Sequence, residues 1–550
     1  MRAFRRILCA CAAGAAALAL LTPVAFAKLP EKVVERIRSL PIQHNGRLKP
    51  FDSFARESLE QITGSPSYGG DDPARTVASW ISRSEDWQDT PLIAVPFVPL
   101  REKLGMDPHA KYISMAELMA ERRLMKMLPA IVQKQQRGEK LAMLENETMD
   151  AFNRFVALSK IFEHDLAVVP PDPGSVSQVW RSLSKPAPDD APVPEPAREA
   201  WSAFILALRE ASPDAEVKLE AARSALAAVN PSALPETWRI DWEIAYNRLK
   251  PFRAATWIYA MAALLLLISL ARSIPSAGAA GIGALILAAA AHASGIGSRV
   301  ILGGRPPVSN FYETMLWLPF VAVVLALIFE KLYRARVYAL SASILAAIAL
   351  ALAAHVPLDS SITPVVAVLR SNLWLTIHVL TIVASYGALA LTVVLAHVDA
   401  VQFVARRNAG PSSSSINLYT YRALQVGVVL LASGIMLGAV WANASWGRYW
   451  GWDPKETWAL ITLLWYLAIL HGRYAGWVKG VGFSLATIAG FFLLLMTYYG
   501  VSFYLVGLHS YAGGHAKPLP LLLIVYLIAE CAFLAVVGAS AFRRNRASSV

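Results

Sequence analysis

The last 300 residues hold nine apolar segments of about membrane-spanning length, at 254–271, 279–297, 311–329, 337–355, 373–397, 420–442, 457–471, 480–505 and 519–541. A helix needs roughly 20 residues to cross a bilayer. Lipid offers no partner to backbone N–H and C=O groups, so runs of this kind must satisfy them internally, as helices do. The expected fold is therefore all-α, a polytopic membrane bundle of about nine helices over residues 254–550. The charges agree: the first 250 residues carry 32 basic and 32 acidic groups, whereas the last 300 carry 19 and 7. The whole excess of +12 thus lies in the apolar part, which is a membrane pattern and argues against a nucleic-acid partner. A chain that is 56% hydrophobic and only 16% charged is not an ordinary soluble enzyme.

Residues 1–27 combine Arg2, Arg5 and Arg6 with an apolar run and a small-x-small ending at Ala25-Phe26-Ala27. That is the pattern of a cleavable export signal, with an uncleaved anchor as the alternative. Either one delivers residues 28–253, whose composition is that of a mostly helical soluble domain, to the outer side. Lys185 to Pro196, rich in Pro and Ala, reads as a stiff linker inside that domain. Arg272, Lys331/Arg334/Arg336, Arg406/Arg407, Arg473/Lys479 and Arg543/Arg544/Arg546 fall in alternate loops, which the positive-inside rule assigns to the cytoplasm. The loops near 299–310, 356–372, 443–456 and 506–518 are then expected outside. Only Cys9, Cys11 and Cys531 occur, so there is no disulfide framework and no Cys-x-x-Cys-His for covalent haem.

The third external loop and its flanks, 441–458, hold five tryptophans: Trp441, Trp446, Trp450, Trp452 and Trp458. One or two would read as an interfacial belt. Five form a flat apolar platform suited to a large planar ligand. Within it, Asp453-Pro454-Lys455-Glu456 has the form of a helix start with a capping box, and Asn310 and Glu313 repeat the arrangement at the third helix. His378 lies about 10 Å into the fifth helix from its outer end, and His509 lies at the outer end of the eighth. Both reach the level of the tryptophan loop, and two neutral imidazoles beside such a platform are a natural axial pair for haem iron. A hydrogen bond to a neighbouring helix is the plainer role for any one of them. His471 falls at the inner end of the seventh helix and could serve a separate site; His292 is a weaker candidate, and His355, His397 and His515 read as interfacial or solvated. Arg299, Arg305, Arg448 and Lys455 on the outer side suit either haem propionates or anionic lipid.

The stretches Trp446-Gly-Arg-Tyr-Trp450-Gly-Trp452-Asp453-Pro-Lys-Glu-Thr-Trp458, Gly304-Arg-Pro-Pro-Val-Ser-Asn-Phe-Tyr-Glu313, Leu373-Trp-Leu-Thr-Ile-His378-Val and Gly507-Leu-His509-Ser-Tyr511 resemble the CcsA (ResC) family of cytochrome c biogenesis proteins. That family belongs to a wider superfamily of haem handlers defined by the tryptophan-rich (WWD) motif. The resemblance implies noncovalent haem b, with His378 and His509 as external axial ligands and His471 as one ligand of a transmembrane haem site. It implies a bacterial cytoplasmic (inner) membrane location, a CcsB (ResB)-like membrane partner, and an apocytochrome c substrate bearing Cys-x-x-Cys-His. The chain would then be a component of a holocytochrome c synthase. A haem transporter without attachment activity is the alternative, as is a CcmF- or CcmC-type handler, although Asp453-Pro-Lys-Glu-Thr-Trp458 matches the CcsA type. Leu40 to Asp52 is similar to an extracytoplasmic segment of fused CcsB-CcsA proteins; no role for it follows from the sequence.

Overall fold

The computed structural model describes residues 29–175, 178–184, 192–356, 358–364, 372–405, 414–509 and 519–548. The export signal expected over 1–27, most of the Pro/Ala-rich linker, Arg406/Arg407 and His515 lie outside them. The chain forms two compact units that divide between Ala245 and Tyr246.

The first unit is mostly helical but carries two small antiparallel sheets. Strands β1 (Pro41–His44), β2 (Arg47–Pro50), β5 (Ala167–Val169) and β6 (Arg181–Ser182) form one, in the order β2-β1-β5-β6; β3 (Pro91–Ala94) and β4 (Tyr112–Ser114) form the other. Sequence analysis does not foresee them, because strands of two to four residues are too short to show alternation. The Leu40–Asp52 segment is the β1–β2 hairpin and the start of helix α1 (Phe51–Thr63). Asn45 and Gly46, both left-handed at φ 50° and 74°, make its two-residue turn. Lys49 is wholly buried and pairs with Glu57 at 2.5 Å. Arg47 holds Glu243 through two bonds of 2.6 and 2.7 Å, and the buried Asp52 binds both Arg38 and Arg56. The segment is thus a framework of paired buried charges, which are costly to break singly.

His44 closes the hairpin with its ring edge-on to Phe54, 5.1 Å away. Burial, reinforced by the charges of Lys49 and Lys160, pushes its pKa down to about 4. An unfolded histidine titrates near 6.5, so the unfolded chain takes up this proton first. The contribution of neutral His44 is complete above pH 6.5 and is lost as pH falls toward 4, by up to about 3 kcal/mol. Thermal melting of the purified protein between pH 7 and 4.5 is expected to show a steeper loss for wild type than for His44→Gln. Equal slopes would remove His44 from the acid response.

The second unit is a helix bundle: α2 (Pro251–Arg272), α3 (Pro275–Gly303), α4 (Phe311–Tyr333), α5 (Val337–His355), α6 (Leu380–Ala405), α7 (Ser414–Trp446), α8 (Pro454–Tyr474), α9 (Gly480–Leu495) and α10 (Leu521–Ser548). Among the described residues eight helices are long and apolar enough to cross a membrane, and the protein is a multi-pass membrane protein. Of the nine segments expected, α8 is the one that falls short, because Lys455, Glu456, His471 and Arg473 at its two ends leave a short apolar centre. It nevertheless packs between α7 and α9. Helix α6 is the hub, touching α4, α5, α7 and α9. In its most apolar stretch 72% of residues are buried, against 11% for α10, which therefore turns most of its surface outward.

Two π-helical turns interrupt this regularity, at Leu375–Val379 before α6 and at Met496–Gly500 after α9. Such turns insert a residue and re-aim side chains, and they concentrate at functional sites. His378 lies in the first and Tyr498 in the second.

Candidate functional site

The four loops expected on one side of the membrane meet at one end of the bundle. Arg299 donates to Ser360 O at 2.9 Å and Arg305 to Thr363 O at 2.7 Å, tying the first loop to the second. Val308 and Ser309 then share a cavity of about 400 Å³ with Trp450 and Leu508 of the other two loops. Both histidines singled out from the sequence, His378 and His509, line that cavity, and so do Trp441, Tyr449, Trp450 and Lys455.

His378 is seated by α7. Its Nδ1 donates to Gly434 O at 2.9 Å, and its ring lies against Gly438, where an added Cβ would stand 2.6 Å from Cε1. The ring stacks on Trp441 at 5.8 Å and 18°. A carbonyl only accepts, so the proton belongs on Nδ1 and Nε2 keeps its lone pair.

His509 is seated by the start of α8. Asp453 caps that helix by accepting from Lys455 N at 3.0 Å, and Glu456 returns a bond from Asp453 N at 3.1 Å, so the capping box forms. Asp453 has a second role that its capping position conceals. Its Oδ2 accepts from His509 Nδ1 at 2.8 Å and its Oδ1 from Leu508 N at 2.6 Å. Gly507 permits this approach, since a Cβ there would lie 2.5 Å from Oδ1. Burial works to raise the Asp453 pKa, but the His509 ring and the Leu508 N–H hold the carboxyl below its usual range. A carboxylate on Nδ1 orients an imidazole and raises the basicity of Nε2, the arrangement found behind metal-ligating histidines.

The tryptophans divide. Trp441 touches both histidine rings, at 5.8 Å from His378 and 6.0 Å from His509. Trp446 packs on Trp441 at 4.9 Å and on His509 at 5.6 Å. Trp450 lines the cavity, while Trp452, 70% exposed, meets the Trp450 ring edge-on at 5.7 Å. Trp458 does not line the cavity; its carbonyl accepts from Thr497 on the neighbouring π turn at 2.9 Å.

None of the three arginines singled out for the site lines the cavity. Arg305 is buried against Glu313 at 2.6 Å, and Arg299 meets the same carboxylate at 2.9 Å; the capping box expected at Asn310 therefore closes only halfway, with Glu313 N donating to Asn310 Oδ1 while the carboxylate is the centre of an ion triad. Arg448 is exposed. His471 lies at the far end of α8 from Asp453, about 25 Å along the axis. It is exposed, with Nδ1 on Leu467 O at 2.7 Å. His292 is buried among Tyr259, Phe252 and Phe320 and shares a bond with Tyr259 Oη at 3.3 Å, so it belongs to the packing of α2, α3 and α4. His397 is not merely interfacial: its Nε2 meets Glu530 of α10 at 2.8 Å.

The fold and the cavity together define a multi-pass membrane protein with two oriented imidazoles facing one aromatic-walled chamber. Residues 308–509 match the family described as Cytochrome C assembly protein. The cytochrome c biogenesis protein CcsA of Prochlorococcus marinus subsp. pastoris is 35% identical over 251 residues, covering 39% of this chain and 77% of that protein. CcsA of Synechococcus sp. (strain CC9605) is 35% identical over 240 residues, 38% of this chain and 78% of that one. The chain belongs to the CcsA family of cytochrome c biogenesis proteins. Protein NrfI of Wolinella succinogenes is 32% identical over 499 residues, 86% of this chain, so that likeness reaches into the first unit; the chain spans 54% of NrfI.

Proposed function

We propose that the cavity binds haem b noncovalently through Nε2 of His378 and His509 and presents it at the extracytoplasmic face for covalent attachment to apocytochrome c. The observation that carries this reading is the shared geometry of the two rings: each commits Nδ1 to an acceptor and leaves Nε2 available to a metal at the same cavity. The residues fit the group, since neutral imidazoles with a braced Nδ1 are suitable iron ligands and indole walls suit a porphyrin face. When bound, haem supplies the two vinyl groups to which the thiols of Cys-x-x-Cys-His add. The protein's share is positioning: Gly434 and Asp453 hold the rings, and Trp441, Trp446 and Trp450 exclude water around them.

The distribution of Lys and Arg supports placing the cavity outside the bacterial cytoplasmic membrane, with residues 28–253 as an extracytoplasmic domain. His471 supports a second, transmembrane haem site nearer the cytoplasm, with the opposing ligand supplied by a CcsB-like partner. It also supports the reading in which the chain only transports haem. Reconstitution separates the two: membranes containing the complex, given haem and an apocytochrome peptide, are expected to yield covalent product. Haem transfer without product would leave transport alone.

Trp450→Ala is expected to weaken haem retention about tenfold and Trp452→Ala less than twofold, since only the first lines the cavity. Haem content after purification checks this, and equal losses would show that exposed Trp452 also contacts the ligand.

A further inference from the structure

Four basic residues, Arg299, Arg305, Arg448 and Lys455, gather at the cavity end of the bundle, and only Lys455 lines the chamber. Its ammonium donates to Ser502 Oγ at 3.0 Å and Tyr498 O at 3.3 Å and stands 6.0 Å from the centre of the Tyr498 ring. These partners are neutral. The carboxylates nearest in sequence are committed elsewhere, Asp453 to His509 and Leu508, and Glu456 to the N–H groups of Gly451 and Asp453. Among the described residues no carboxylate pairs with this ammonium. A cation withdrawn from water is costly unless an anion compensates it; Glu456 also lines the cavity but its carboxylate is engaged by two backbone N–H groups, so the mostly apolar chamber favours a ligand that brings a negative group.

We propose that Lys455 is the anion subsite of this cavity and pairs with a propionate of the bound haem, which makes it the residue that sets the porphyrin's orientation. The proposal rests on the haem reading above and adds to it. Propionates and vinyl groups occupy opposite edges of the porphyrin, so anchoring the acidic edge at Lys455 turns the vinyl edge away from Tyr498 and Ser502. Two imidazoles alone fix the iron but leave the ring free to rotate about their axis. A charged anchor at the edge removes that freedom, which a reaction at two vinyl carbons requires. The sequence offers all four cations as partners of either propionates or lipid; of the four, Lys455 is the one in the cavity wall.

The test is a titration of the purified full chain with haem and with haem dimethyl ester, whose acidic groups are neutral. Wild type is expected to bind the free acid at least tenfold more tightly than the diester. Lys455→Met is expected to bring the free acid down to the diester's affinity without changing the diester's, and Lys455→Arg to keep the preference. Equal wild-type affinity for the two porphyrins overturns the proposal, and so does a Lys455→Met protein that still prefers the free acid. A wild-type protein that binds neither overturns the haem reading itself, and this one with it.

Discussion

Replacing His378 or His509 by alanine is expected to remove most of the haem absorption from the purified protein, and replacing both to abolish it. On the proposed reading each ring would supply Nε2 to the iron, and among the described residues no other histidine lines the cavity. Loss of one bond leaves haem held by a single imidazole and the apolar walls, so the Soret band should shift as well as weaken. The same logic reaches Asp453, which acts through His509. Asp453→Asn keeps a competent helix cap but replaces the carboxylate on Nδ1 with a neutral amide. Removing such a partner typically costs ~10–100-fold in metal affinity, so the Asn variant should fold normally and retain haem about tenfold less tightly. Spectra of the wild type and these four variants decide the matter. A Soret band unchanged in both alanine variants would discard the ligand assignment, and an unchanged Asp453→Asn would reduce Asp453 to its cap.

The largest expected effect on stability lies at Glu313. Glu313→Ala leaves Arg299 and Arg305, both almost fully buried, with no compensating carboxylate. Removing one partner from a buried ion pair costs about 3–5 kcal/mol, chiefly because the orphaned charge stays desolvated. Glu313 also accepts from Ser309 N at 2.9 Å, so the loop carrying Val308 and Ser309 into the cavity wall loosens with it. A fall in the melting temperature in detergent, together with reduced haem retention, is the expected result. Arg305→Met is expected to be milder, because Arg299 remains on the same carboxylate. It should leave the preference for free-acid haem intact, which distinguishes a structural arginine from a propionate ligand. A Glu313→Ala protein melting with wild type would mean that water or backbone carbonyls already compensate the guanidiniums.

Much of this architecture is readable from local pattern. Apolar length alone marks the spans, because the bilayer imposes the same requirement on each independently. The start of α8 is readable because a capping box closes within four residues. The two histidines are readable because an imidazole in an apolar helix, beside a cluster of tryptophans, is itself unusual. The limits of local pattern show in the same places. Asp453 reads as a cap, and nothing in its neighbourhood reveals a ring 56 positions later. The outward turn of Trp452 follows from a left-handed backbone at φ 56°, which its residue type disfavours.

What the amino-acid order determined by itself is the set of apolar helices and the residue types brought to one end of the bundle, since each is settled by interactions within a few turns of chain. Which cation lines the cavity was decided only by packing. Arg305 finds Glu313 and the Thr363 carbonyl before it can reach the chamber, whereas Lys455 is held open to it by Tyr498 and Ser502. Both are cations in loops expected on the same side of the membrane. The difference is which helices stand next to each other, and that is a property of the assembled bundle.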